Sequence, residues 1–378
     1  MLPVDLSTLF LFVGMMLSIV AGEAAINGDT LNLKINLPQK LEQSGFDADT
    51  AEKLFIAESA WIVRGTSIIP TPTLRVSSRP SVISALATPL KLDRIVGALQ
   101  DQFGYDRLVV SAAMLSAAEN ALRMVIIVEH PLAGPDQIQL TQADGDPAAL
   151  VRRGAAATME RVSPYRVAQA YYIRGLENAD PGALKDAAAT ASRHLARPWE
   201  PSRASERAML YNLMALLALL DNKIALADQM LRLVDPIPGV LAEARAIVAL
   251  NRAFLTVAAN KPAEARALFD AGEKLAAAIT LPDFDARVVM LGALVAWSEG
   301  DKVEAERRLR AAIVAMPSNE RPHAYLATLL GTTVEGAGDK EKAEQASAVA
   351  ANPFTPDLPF FAQSVFSVDP VNGGIRRY

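Results

Sequence analysis

Gly300-Asp301-Lys302-Val303-Glu304-Ala305-Glu306-Arg307-Arg308-Leu309-Arg310-Ala311-Ala312 decides the fold. Glycine followed by aspartate is the chemistry of one helix stopping and the next being capped. Ala305, Leu309 and Ala312 then follow at spacings of four and three, which puts them on one face of the new helix. The pattern recurs on either side. Aligned on the turn, Asn222, Asn260, Gly300 and Gly338 stand 38, 40 and 38 residues apart. Five residues past each turn sits an alanine: Ala227, Ala265, Ala305 and Ala343. Nine past it are Leu231, Phe269, Leu309 and Ser347, and twelve past it Val234, Gly272, Ala312 and Ala350. Alanine lets the two helices of a hairpin approach, and the larger residue fills the next groove. A period of this size predicts stacked helical hairpins, an α-solenoid over 164–353 whose first, atypical hairpin is expected at Pro164 to Arg197.

Composition agrees with that reading. The chain of 378 residues is 51% hydrophobic but only 6% aromatic. Runs such as Ala155-Ala156-Ala157 and Ala187-Ala188-Ala189 favour closely packed helices. A net charge of -5, with no block of five like charges, gives no electrostatic footprint for nucleic acid. Cysteine is absent from the sequence, which excludes disulfides, thiolate metal sites and cysteine nucleophiles.

Upstream of the repeats the sequence predicts two further regions. Leu6 to Gly22 is an uncharged apolar stretch, close to the roughly 20 residues that a membrane span needs. Met1 to Asp5 lacks the basic residues of a signal peptide, so residues 1–25 are expected to be a retained transmembrane helix; the competing readings are a signal peptide cleaved near Ala25 and a buried core helix. Residues 29–160 read as a small α+β domain. Leu31 to Leu37 alternates as a strand stopped by Pro38, and a helix capped by Asp47 or Asp49 carries Ala51, Leu54, Phe55 and Ile62, with Glu58 interrupting the stripe. Strand-like Thr73 to Val76, a helix over Leu92 to Phe103, strands at Leu108 to Leu115, Ala121 to Val128 and Ile138 to Leu140, and a helix from Pro147 to Val162 complete it.

The turn and second-helix pattern resembles the tetratricopeptide repeat family. Its clearest unit is Val289 to Pro317, where Ala305, Leu309, Ala312 and Pro317 fall on the family's small, large, small and proline positions; the first helices of the earlier units lack the family's usual glycine and tyrosine. The region before the repeats is similar to the α/β segment of membrane-anchored bacterial proteins of this type, through Ile35-Asn36-Leu37-Pro38, Leu41 and Gly45, and through Leu150-Val151-Arg152-Arg153 leading to Ser163-Pro164-Tyr165-Arg166. This second resemblance implies no activity; with the lack of cysteine it leads to the expectation of a bacterial inner-membrane protein with one span and its bulk in the periplasm, while the repeat architecture leads to the expectation of a scaffold or an accessory subunit of a membrane complex. The repeat alignment also predicts a groove lined by first-helix residues Met209, Asn212 and Leu216, then Ile247, Leu250 and Phe254, then Arg287, Met290, Leu294 and Trp297. That set suits an apolar helix or extended peptide; the alternative is that these residues pack between hairpins.

No catalytic, cofactor or metal constellation emerges from the sequence. His130, His194 and His323 have no second ligand at metal spacing. Asp144-Gly145-Asp146 reads as a turn followed by an N-cap at Asp146. Arg307, Arg308 and Arg310 alternate with Glu304 and Glu306 as a solvated, ion-paired face. Trp61 reads as core, and Trp297 as core or groove. The expectation is therefore a non-enzymatic protein that binds a membrane-associated protein partner and no nucleic acid, against the alternative of an enzyme or small-ligand receptor with its site in 29–160. The tail 354–378 carries Phe354, Phe360, Phe361 and Phe366 among prolines, and is expected to be extended, with Phe354 on the chain's own repeats and Phe360, Phe361 and Phe366 on a partner.

Overall fold

A computed structural model describes residues 30–64, 67–69, 75–76, 109–116, 121–130, 134–277, 279, 283–317, 319–330 and 366–377. The expected membrane helix at 6–22, the helix at 92–103 and the hairpin around Gly338 lie outside the described residues. Among the described residues no helix is long and apolar enough to cross a membrane. The described residues are mainly helical, with one small five-stranded sheet and a two-stranded hairpin. The described residues divide into two compact units: those of 30–64 with those between Arg75 and Val162, and residues 67–69 with those from Ser163 onward.

The first unit is a sheet covered by two helices. Its strands are Thr30–Asn36 (β1), Arg75–Val76 (β2), Val109–Ser116 (β3), Leu122–His130 (β4) and Gly134–Gln142 (β5). The order is β2-β1-β3-β4-β5, with β1 parallel to both neighbours and the β3-β4-β5 meander antiparallel. Alternation decides the buried face: Ile35, Val110, Ala112, Met114, Met124, Ile126, Val128 and Ile138 point into one core. Pro38 opens a short helix that the sequence did not suggest, Gln39–Gln43 (α1), which ends before Gly45 at a φ of 91°. Ala48–Val63 (α2) is capped by Asp47, whose carboxylate accepts the Thr50 N–H at 2.7 Å. Its buried stripe is Ala51, Phe55, Ser59 and Ile62, so Ser59 rather than Glu58 occupies the inward position and the stripe is not interrupted by a charge. Pro147–Val162 (α3) lies against β4 at Gly154, where a Cβ would stand 2.8 Å from the Met124 sulfur.

The second unit is a series of antiparallel helix pairs: Pro164–Glu177 (α4) with Pro181–Leu195 (α5), Ala204–Leu220 (α6) with Ile224–Arg232 (α7), Ala242–Ala258 (α8) with Pro262–Ala276 (α9), and Phe284–Ser298 (α10) with Lys302–Ala315 (α11). Glu320–Leu330 (α12) follows and packs on α11. All four turns share one backbone solution. Ala179, Asn222, Asn260 and Gly300 have φ of 50°, 58°, 55° and 86°. At each, the left-handed residue donates its N–H to the carbonyl three back, and the next residue donates to the carbonyl five back, as in Asn222 to Leu219 and Lys223 to Ala218. This pair of bonds satisfies otherwise orphaned carbonyls of the first helix. The atypical first hairpin thus has the same turn as the others.

The seam inside each hairpin follows from two positions, four before and five after the turn. Ala218 faces Ala227, Thr256 faces Ala265, and Ala296 faces Ala305, all buried. In the first hairpin the sizes are redistributed: Gly175 faces Leu184, and a Cβ on Gly175 would stand 2.6 Å from the Leu184 side chain. Hairpin starts are fixed from a distance. Glu206 on α6 accepts from the Ser163 hydroxyl at 2.7 Å and the Tyr165 N–H at 3.0 Å, so it caps α4, while Arg203 pairs with its other oxygen at 2.6 Å. The neighbouring Ser205 accepts the Leu241 N–H at the start of α8, at 2.8 Å.

Part of the C-terminal stretch returns to this unit. Phe366–Val368 (β6) and Ile375–Arg377 (β7) pair antiparallel around a turn in which Asp369 accepts the Val371 and Asn372 N–H groups at 2.9 and 3.0 Å. The Gly374 N–H donates to the Ala258 carbonyl at the end of α8, at 2.7 Å. Gly373, with a φ of 77°, comes so near that a Cβ would stand 2.7 Å from the same oxygen. Ile375 packs on the helical core. The expectation of an extended tail reaching away from the repeats is corrected here: the described portion is a β-hairpin docked on the chain's own α8.

Candidate protein-binding surface

The first-helix residues expected to line a groove are core residues instead. Met209, Asn212, Leu216, Ile247, Leu250, Phe254, Met290 and Leu294 are wholly buried. Leu250 packs into its own hairpin seam, since a Cβ on Gly272 of α9 would stand 2.9 Å from its Cγ. The Asn251 amide donates to the Asn212 carbonyl oxygen at 2.7 Å, which ties α8 to α6 through a buried polar pair. Trp297 packs with Ala296, Ala305, Tyr325 and Leu329, between α10, α11 and α12, and is core rather than groove. Arg287 alone is half-buried; burial pushes its guanidinium below the usual arginine range, with Asp283 opposing the shift. Phe360 and Phe361 lie outside the described residues, and Phe366 begins β6, its side chain outside them too.

The face that does open to solvent belongs to the second helices. On α11, Val303, Arg307, Arg310 and Val314 follow at spacings of four, three and four, one stripe along the helix. The two valines are 82% and 81% exposed, the most open large apolar residues described. At the equivalent places the α9 hairpin carries Ala263 and Lys274, and the α7 hairpin Ala225 and Pro236, so the valines are particular to this hairpin. On the α7 side, Leu226 and Leu233, seven apart, are exposed as well. Periodicity marks the buried stripe; the outward positions, aligned in the same way along the sequence, also set the two valines apart.

Between these outward faces run ion pairs. Arg307 and Arg308 both hold Glu304, through Nε atoms at 2.6 and 2.7 Å, and Arg310 holds Glu306. The hydrogen bond from Arg307, then that from Arg308, brings the pKa of the Glu304 carboxyl down to about 2. Arg308 also reaches Glu273 on α9 at 3.2 Å, and Arg266 on α9 reaches Glu299 at the end of α10 at 3.1 Å. The guanidinium groups of Arg266 and Arg308 both lie over the Phe269 ring, 5.9 Å and 5.4 Å from its centre. Gly292 permits this: a Cβ there would overlap the Arg308 guanidinium and stand 2.7 Å from Phe269. The charged run is thus an ion-paired face that also joins neighbouring hairpins.

The remaining singled-out residues have local partners. Asp144 accepts the Asp146 N–H at 3.1 Å, and Asp146 accepts from Ala148 and Ala149 at 2.9 and 3.1 Å, a turn and an N-cap. His194 is buried near the end of α5, His323 is exposed on α12, and His130 ends β4. Trp61 is half-buried with the Arg64 guanidinium 4.9 Å from its ring centre, rather than wholly in the core. Among the described residues no group of three His, Asp or Glu side chains could hold a metal ion. Comparison of the chain with protein-family models, with curated proteins and with solved structures gives no match.

Proposed function

We propose that the chain is a tetratricopeptide-like scaffold, tethered to a membrane through residues 6–22, that holds a protein partner on the outward face of its second helices. The observation carrying this reading is the α11 stripe, in which Val303 and Val314 are exposed at either end of Arg307 and Arg310 while the opposite face, Ala305, Leu309 and Ala312, is buried. A helix built this way has its packing satisfied on one side and offers apolar anchors framing cations on the other. That suits an amphipathic partner helix carrying acidic residues. Helical-hairpin stacks commonly present extended surfaces to other proteins, which adds support by analogy. The bulk of the chain is placed in the periplasm as part of the same proposal.

The test is recovery of partners from detergent-solubilised membranes, read by mass spectrometry, with the full chain and its Val303→Asp/Val314→Asp variant. The expected result is a partner recovered with the parent chain and lost with the variant at an unchanged melting temperature. Equal recovery by both chains defeats the surface assignment, and absence of any specific partner defeats the scaffold reading.

A further inference from the structure

Among the described residues β5 has β4 on one side and no strand on the other. An open edge of this kind is ordinarily guarded by lysine, proline or a bulge that keeps another strand away. Gln137-Ile138-Gln139-Leu140-Thr141 carries no charge and no proline. Two residues set the parity of its backbone. Pro135 stands opposite Glu129 in the ladder and, having no N–H, fits where the backbone points away from β4. Thr141 has the same parity, and its carbonyl accepts the guanidinium of Arg153 on α3 at 3.1 Å. Gln137, Gln139 and Thr141, all exposed, therefore turn their backbone amides and carbonyls to the outer side.

We propose that this edge pairs with the β5 edge of a second copy of the chain, antiparallel about a two-fold axis at Gln139. The chemistry selects that register. An axis at Ile138 sets Pro135, without an N–H, opposite the copy's Thr141, and an axis at Leu140 sets Asp136 opposite the copy's Asp144. Axes further along in either direction shorten the ladder. With the axis at Gln139, Gln137 pairs with the copy's Thr141, and the half-buried Leu140 lies beside the copy's Ile138. Asp136 then stands opposite the copy's Gln142, which makes the charges complementary. Arg153 bonds the Gln142 side-chain oxygen at 2.6 Å, so it comes beside the copy's Asp136, a carboxylate that Arg161 holds at 3.0 Å and that is half open to water. The interface lies on the first unit and goes beyond the scaffold reading, which rests on α11.

The sequence holds no cysteine, so single cysteines introduced into the full chain locate the axis. Gln139→Cys brings two thiols to the axis, where directly opposed Cα atoms stand about 5.5 Å apart, within reach of a disulfide. Gln137→Cys leaves them four residues out of register, beyond that reach. Mild oxidation should convert the first to a covalent dimer at least about tenfold faster than the second. In sedimentation the parent should show twice the 40.4 kDa of one chain. Gln139→Lys opposes two ammonium groups on the axis and should show the mass of one chain at an unchanged melting temperature. Should that variant not fold, Arg153→Glu and Asp136→Lys, each monomeric alone, should dimerise on mixing, because the mixture restores both ion pairs. A parent chain monomeric at every concentration, a folded Gln139→Lys chain that still dimerises, equal oxidation of the two cysteine variants, or no dimer on mixing would each overturn the proposal.

Discussion

Three donors converge on the buried carboxylate of Glu206, from Ser163, Tyr165 and Arg203, so Glu206→Ala strands a helix N-terminus and a half-buried guanidinium together. We expect a loss of about 3 kcal/mol, measured as a shift of the denaturant midpoint at constant slope. Glu304 is the surface counterpart. Its folded-state pKa, about 2, lies below the ordinary 4.5, so its contribution is complete above pH 4.5 and disappears as pH falls toward 2. Exposed pairs contribute only ~0–1 kcal/mol. The melting temperature of Glu304→Gln should therefore sit slightly below the parent at pH 7 and meet it near pH 2; a constant gap at both would show that the carboxylate charge is not what matters. The small residues of the hairpins are legible in the sequence, since Ala227, Ala265 and Ala305 recur at a fixed offset. Glu206 as a cap is not, because the start of α4 lies 41 residues away from it and no local pattern joins them.

Among elements, the first hairpin provides the sharpest test. Gly175→Ala drives a methyl into Leu184 and should cost about 2 kcal/mol. The double variant Gly175→Ala/Leu184→Ala reproduces the alanine pair of the α6-α7 and α10-α11 hairpins and should recover part of that loss, giving a favourable coupling of about 1 kcal/mol in a double-mutant cycle. Strict additivity would mean that the two positions do not share a seam. Leu250→Asp distinguishes core from groove: with Leu250 wholly buried, the variant should unfold rather than merely lose a partner, seen as loss of the cooperative thermal transition. Where periodicity is strong, as for Pro147–Val162 and strands β3 and β4, the sequence and the structure agree to within a residue or two, whereas β5 runs from Gly134 to Gln142 where only Ile138 to Leu140 is expected. The groove was misplaced for a physical reason. Periodicity identifies an apolar stripe, but it does not say whether a neighbouring helix, a distant segment or water lies against it, and Leu250, Met290 and Phe254 look alike in each case.

At the scale of the whole molecule the helical unit depends on residues far from its hairpins. Gly373→Ala forces a side chain against the Ala258 carbonyl and adds strain at a positive φ, so it should undock the β6-β7 hairpin. The melting temperature of the full chain should fall by a few degrees, the effect of about 1 kcal/mol. A tail that serves only a partner predicts no change. Stacked hairpins ordinarily fold fast because their contacts are local, yet Gly374 meets a carbonyl far back in the chain, at Ala258, and Ile69 belongs to a core whose other members begin at Tyr165. Such distant closures pay their loop entropy late, after the helices have paired. Interactions made after the rate-limiting step act on the escape rate from the native state rather than on the rate of reaching it. The Gly374–Ala258 bond should accordingly work as a kinetic latch: in stopped-flow chevrons Gly373→Ala raises the unfolding rate several-fold and leaves the refolding limb where it was.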